Sequence, residues 1–205
     1  MGTRRYEQRL RAESAEDTRR RILAAVFERL EAAPTSPVSV DRVARDAGVA
    51  RSTVYLVFGS RAGLFDAVAS DLQSRAGFQG ILDAVAAPDA RDHLRLGVAA
   101  GCRAYAAHRD VTRALFSMSS LDPDAVGGAM VRLEQGRAGG IDHLARRLDE
   151  QRLLRADVDR GTAAHVLYQL TSFDCFDLLF TGRGLIVDDV ATLLVTQAER
   201  TLLEG

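Results

Sequence analysis

The stretch Ser39–Val68, SVDRVARDAGVARSTVYLVFGSRAGLFDAV, decides how the rest of the chain is read. Ser39 has the residue type and place of a helix N-cap, with Val40, Val43, Ala44 and Ala47 on one face of the short helix that follows. Gly48 breaks that helix, and a second short one runs from about Arg51 to Phe58. Gly59-Ser60 punctuates again before a longer helix from about Arg61 to Arg75. Upstream, Glu16 or Asp17 opens a helix whose apolar face is Leu23, Val26, Phe27 and Leu30, and which stops before Pro34 and Pro37. Short helix, glycine turn and short helix make the outline of a helix-turn-helix. A helical hairpin that binds nothing has the same outline.

Helical periodicity continues downstream. It predicts helices over Asp89–His108, Asp110–Ser119, Asp124–Leu153 with Pro123 in its first turn, Asp157–Thr181 and Asp188–Leu203. No segment reads as a strand and no repeat is visible, so the class is all-α. The chain of 205 residues is 47% hydrophobic and 27% charged, enough to bury a core without a metal or disulfide staple. All 27 basic residues are arginine, which removes the phosphate-loop lysine, the Schiff-base lysine and the Ser-Lys dyad. Cys102 and Cys175 form no CxxC pattern, and the four histidines show no ligand spacing, so neither a metal nor a cofactor is expected. The opening MGTRRYEQRLRAE lacks the apolar run of a signal peptide. The longest uncharged stretch, Gly161 to Phe173, is shorter than the roughly 18–20 residues of a membrane span. No membrane partner and a reducing cytoplasm are the expectation.

Projected at about 100° per residue, the Arg51–Phe58 helix turns Val54 and Phe58 inward. Ser52 and Leu56 then point outward, flanked by Thr53 and Tyr55. Hydroxyls and an apolar tip, with Arg51 at the start, suit base edges and the thymine methyl in a major groove. Tyr55 and Arg61 suit phosphates, as do the amides at Ser39. Charge supports this modestly: residues 1–61 hold 12 Arg against 8 acids, whereas 62–205 hold 15 against 20. Arg4, Arg5, Arg9 and Arg11 form a basic N-terminal arm, over residues 1–15, able to reach a minor groove.

The string resembles the DNA-binding signature of the tetracycline-repressor (TetR) family of bacterial regulators. Ser39, Ala44, Gly48, Val49, Ser52, Thr53, Val54, Tyr55, Phe58, Ser60, Arg61, Leu64 and Phe65 match that pattern without a gap. Close likeness runs from about Thr18 to Ala69. Two positions depart from it: Val57 stands where the family often carries histidine or another polar residue, and Arg61 replaces its usual lysine. The resemblance implies a three-helix helix-turn-helix domain over residues 1–65 and a helical ligand-binding and dimerisation domain over 66–205, about nine helices in all. It implies a homodimer on a pseudo-palindromic double-stranded DNA operator, most simply a repressor released by a small-molecule effector. A regulator without an effector, an activator, or more remotely an enzyme using the helical pocket are the alternatives; no activated nucleophile points to the last.

In the larger half, Leu94, Val98, Gly101, Cys102, Tyr105 and His108 share one helical face. His165, Gln169, Phe173, Phe176 and Phe180 share another. Polar groups among aromatics are what a mostly apolar pocket requires, so Cys102, Tyr105, His165, Gln169 and Phe173 are the candidate ligand contacts. Asp174 and Asp177 extend a polar stripe with Thr171 and Thr181, which suits a cationic effector but reads more simply as a solvated face or a partner for arginine across a dimer. On the last helix, Val190, Leu193, Leu194, Gln197 and Thr201 mark the face expected to pair with a second copy.

Overall fold

The computed structural model describes residues 2–34, 36–75 and 78–204, with side chains described from residue 13 onward except at 35 and 76–78. Among these are eleven α-helices and one π-helical turn. In chain order they are α1 (Gly2–Ala32), α2 (Val40–Asp46), α3 (Arg51–Phe58), α4 (Arg61–Arg75), α5 (Phe78–Ala86), α6 (Ala90–Ala107), α7 (Arg109–Leu121), the π-turn (Pro123–Gly127), α8 (Gly128–Glu150), α9 (Arg160–Leu170), α10 (Phe173–Phe180) and α11 (Val187–Leu202). The chain divides into two compact units. One holds the residues to Asp71 with Arg113–Val131, and the other Leu72–Thr112 with the residues from Arg132 on.

In the first unit α1, α2 and α3 pack on one another. The faces expected from periodicity are buried: Leu23, Val26, Phe27 and Leu30 on α1, Val40, Val43, Ala44 and Ala47 around α2, and Val54 on α3. Ser39 Oγ accepts from the Arg42 N–H at 3.2 Å and so caps α2. Gly48 follows that helix at φ +64°, a left-handed conformation in which a Cβ is strained. α1 starts at Gly2, well before the Glu16 or Asp17 start read from sequence. The side chains of Arg4, Arg5, Arg9 and Arg11 lie outside the described residues.

In the second unit α6 packs closely with α5 and with α11, and α9 and α10 lean on α11. Two differences from the periodicity reading have local causes. α5 falls where no helix was expected, because its nine residues, FQGILDAVA, carry no acidic residue in the first turn. Its end is instead capped from a distant helix. Arg147 of α8 donates to the carbonyls of Val85 at 3.0 Å, Ala87 at 2.5 Å and Pro88 at 2.8 Å. The span read as one helix over 157–181 is two, because Ser172 Oγ accepts from the Cys175 N–H at 3.1 Å and starts α10 afresh.

Asp177 is buried inside the unit, not solvated. It accepts from Arg109 Nε at 2.7 Å and Nη2 at 3.2 Å, while Thr181 Oγ1 donates to it at 2.6 Å. Its arginine comes from the same chain. Of the last helix's expected pairing face, Val190 and Leu194 are buried within the chain, and Leu193, Gln197 and Thr201 are exposed.

His93 is buried beside Arg147, whose Nη1 lies 3.1 Å from its Nδ1. The guanidinium can only donate, so Nδ1 accepts and the ring proton sits on Nε2. Burial, then the charges of Arg147 and His143, push the His93 pKa down to about 4. A histidine depressed in the fold holds its stabilisation above pH 6.5 and loses it as pH falls from 6.5 toward 4, since only the unfolded chain then takes up the proton. We predict an acid-side loss on the order of 2–3 kcal/mol from this group, measured by denaturant unfolding between pH 7 and 4. His93→Gln should flatten that slope by up to one proton, and an unchanged slope would show that the ring is protonated in the fold.

Candidate functional site

α3 has no side-chain N-cap, and among its residues only Val54 is fully buried, at 2% exposure. That one anchor turns Arg51, Ser52 and Leu56 to the surface, with Leu56 85% exposed, and leaves Thr53, Tyr55, Val57 and Phe58 half-buried. The outward pair Ser52 and Leu56 and the flanking Thr53 and Tyr55 thus stand on one surface. Arg51 spans to α2, where its Nη1 donates to both oxygens of Asp41 at 3.1 and 3.2 Å. Its Nη2 lies 3.4 Å from the Tyr55 hydroxyl, so the two residues expected at the edges of the face hold each other. Ser39, also exposed, spends its hydroxyl on the α2 cap.

Arg61 is differently placed from a free surface cation. Its Nη1 is paired with the Asp122 carboxylate, its Nη2 donates to the Val38 carbonyl at 3.2 Å, and its guanidinium lies 5.6 Å from the Phe65 ring centre. Asp122 was not singled out by the sequence reading. It stands 61 residues away, and nothing local at either position signals the pairing.

The candidate ligand residues do not form one pocket. Cys102 and Tyr105 line a void of about 30 Å³ with Gly97, Gly101, Thr171, Ser172 and Phe176, and Phe173 packs edge-on against Tyr105 at 5.3 Å. The Tyr105 hydroxyl donates to the Thr171 carbonyl at 3.4 Å. Burial raises its pKa to about 12 and that of the Cys102 thiol to about 11, so both are neutral hydrogen-bonding groups at ordinary pH. His165 instead borders a separate open cleft of about 450 Å³ between α8 and α9, with Ile141, Asp142, Arg146, Arg160 and Tyr168. Gln169 is exposed and lines neither space. The helix break at Thr171–Ser172 explains the separation. α9 buries Ala163, Leu167 and Leu170 and turns His165 and Gln169 away, while α10 restarts the phase with Phe173 and Phe176 inward. Arg137 of α8 holds that break, donating to the Tyr168 carbonyl at 2.9 Å and to Thr171 Oγ1 at 3.2 Å while lying 3.9 Å above the Tyr168 ring. Among the described residues, no group of three or more His, Cys, Asp or Glu is placed to hold a metal ion, and no helix is long and apolar enough to cross a membrane.

Residues 22–68, the segment that contains α2, α3 and the start of α4, match the family model described as bacterial regulatory proteins, tetR family. At the level of sequence, the likeness to that family covers this segment. The fold of the chain is also that of solved tetR regulators. A TetR family transcription regulator from Marinobacter aquaeolei VT8 superposes with a TM-score of 0.70 at 15% identity, covering 95% of this chain and 100% of that one. NalD of Pseudomonas aeruginosa, the secondary repressor of the MexAB-OprM multidrug efflux pump, gives 0.69 at 22% identity, with 94% and 98% covered. The fatty acid degradation regulator FadR of Bacillus halodurans gives 0.67 at 15% identity, with 88% and 93% covered. No curated protein matches the sequence.

In the second unit Gly101 of α6 lines the small void together with Gly97, and a Cβ on Gly101 would meet nothing within 4 Å. Alanine adds helix propensity there without a clash. Gly101→Ala should therefore raise stability by about 0.5–1 kcal/mol, read as a higher melting temperature. A lower melting temperature would show that the fold needs this space open.

Proposed function

We propose that the chain is a sequence-specific DNA-binding transcriptional regulator, a cytoplasmic homodimer without enzymatic activity that represses by occupying a pseudo-palindromic operator and leaves it on binding a small molecule. The observation that carries this is the outward face of α3. Ser52, Thr53 and Leu56 carry hydroxyls and one apolar tip on a helix whose one fully buried side chain is Val54. Such a face reads donor and acceptor edges and the thymine methyl in a major groove. Arg51, Tyr55 and the N-terminal turn of α2 at Ser39 flank it as phosphate contacts. One eight-residue recognition helix has a small footprint, and a two-fold pair doubles it on a palindrome. The exposed Leu193, Gln197 and Thr201 on α11 and Leu178 on α10 give the second copy a surface.

Effector release rests on the second unit. The open cleft beside His165, at about 450 Å³, falls in the volume range of small-molecule sites. A ligand that binds better when the two α3 helices are wrongly spaced for the operator must weaken DNA binding by the factor by which DNA weakens its own. One observation favours a regulator without an effector: the void at Cys102 and Tyr105, about 30 Å³, holds a water or two and not a metabolite.

Fluorescence anisotropy on DNA from upstream of the protein's own gene, against a random duplex and across salt concentrations, tests the reading. Tighter binding to the upstream DNA is expected, falling linearly in log K against log salt. Tyr55→Ala should weaken binding to all sequences, and Thr53→Ala should cost about 1–3 kcal/mol at particular base positions only. If both variants bind like the parent, the face is wrongly assigned.

A further inference from the structure

Arg61 is the first residue of α4, separated from the end of α3 at Phe58 by Gly59 and Ser60 alone. Gly59 sits at φ +74°, and glycine tolerates neighbouring conformations at little cost. That link alone leaves the angle between α3 and α4 free. The guanidinium of Arg61 removes the freedom. One nitrogen holds Asp122, and the other holds the carbonyl of Val38, the residue before the α2 cap Ser39. A single cation therefore ties the entry of α2 to the start of α4, which are the two ends of the helix-turn-helix.

Asp122 is itself immobilised. Its N–H donates to the Met118 carbonyl at 2.7 Å, and its own carbonyl accepts from Ala125 and Val126 at 3.2 and 3.1 Å. Its Oδ1 accepts from the Ala125 N–H at 3.3 Å, capping the π-turn that leads into α8, and its Oδ2 takes Arg61. Each partner is only about one-third exposed. The charge of Arg61 is matched inside the protein, so a phosphate would have to displace a carboxylate fixed at both ends to reach it.

We propose that Arg61 and Asp122 form a positioning strut that sets how α3 is presented, so that Asp122, which touches no DNA, controls operator affinity. The proposal rests on the DNA-binding reading given above. Arg61 acts through geometry and releases no counterion from DNA. The strut also gives the junction of α7, the π-turn and α8 a direct mechanical hold on the DNA-reading helices of the same unit. Any event that moves Asp122 moves the start of α4.

The test uses the full chain and a duplex enriched from a random pool by repeated capture on the parent protein, with a scrambled duplex as control. Arg61→Gln, Asp122→Asn and the double variant are compared. Asparagine keeps the Oδ1 cap and removes the charge. Each single variant should lose about tenfold in affinity for the enriched duplex, and the double variant should be no weaker than the weaker single. The slope of log K against log salt and the binding of the scrambled duplex should stay at the parent's values. A slope shallower by about one for Arg61→Gln, with Asp122→Asn unchanged, would make Arg61 a phosphate contact and overturn the strut. Tighter binding by Asp122→Asn with a steeper slope would overturn it as well, leaving Asp122 a mask over a phosphate ligand. So would variants that melt earlier yet bind equally well per folded molecule. A parent that enriches no duplex at all would instead overturn the DNA-binding reading, and the strut with it.

Discussion

The burial of one valine sets what this protein presents. α3 is eight residues long, too short to be stable alone, and Val54 is its one fully buried side chain. Turning the helix by a single residue would place Val54 about 100° round, exposing it and bringing the hydroxyl-bearing Thr53 or Tyr55 inward in its place. The packing of α1, α2 and α3 thus fixes the rotational phase of α3, and with it the identity of every outward residue. Arg51 on Asp41 and Arg61 on Asp122 and Val38 then fix its ends.

Phase and turns were legible in the sequence because both are local. The Val54 and Phe58 spacing, the Gly48 and Gly59 breaks and the Ser39 cap are written within a few residues of where they act. What was not legible depends on residues far apart in the chain. α5 has no acidic residue in its first turn and ends on carbonyls capped by Arg147 some sixty positions on. Arg61 looked like a surface cation because Asp122 is equally remote. The polar stripe through Asp174 and Asp177 misled for the same reason, since Asp177 is buried on Arg109. The break at Thr171–Ser172 was signalled by a Thr-Ser pair, but the apolar period on either side reads through it, and that put His165 and Gln169 on the wrong face.

The second unit is held by arginines that reach across to backbone carbonyls. Arg147 closes α5, and Arg137 closes α9 while lying on Tyr168. Each spends several donors of one guanidinium on groups at a helix end. A chain with no lysine has only arginine for this role, and the planar fork suits it better than a point charge. The void beside Tyr105 measures about 30 Å³ and the cleft beside His165 about 450 Å³, so a metabolite-sized guest has room in the cleft and none beside Tyr105.

The central claim is that the outward face of α3 lies in a DNA groove. Affinity cleavage from position 56 tests it most directly, with an iron chelate on Leu56→Cys in a chain whose Cys102 and Cys175 are alanine. Leu56 is 85% exposed, so the tether disturbs no packing. The account predicts strand cuts confined to two clusters in an enriched operator, centred about one helical turn or a whole multiple of it apart. Cuts spread evenly along the duplex, or none above the level of an untethered chelate, would contradict it.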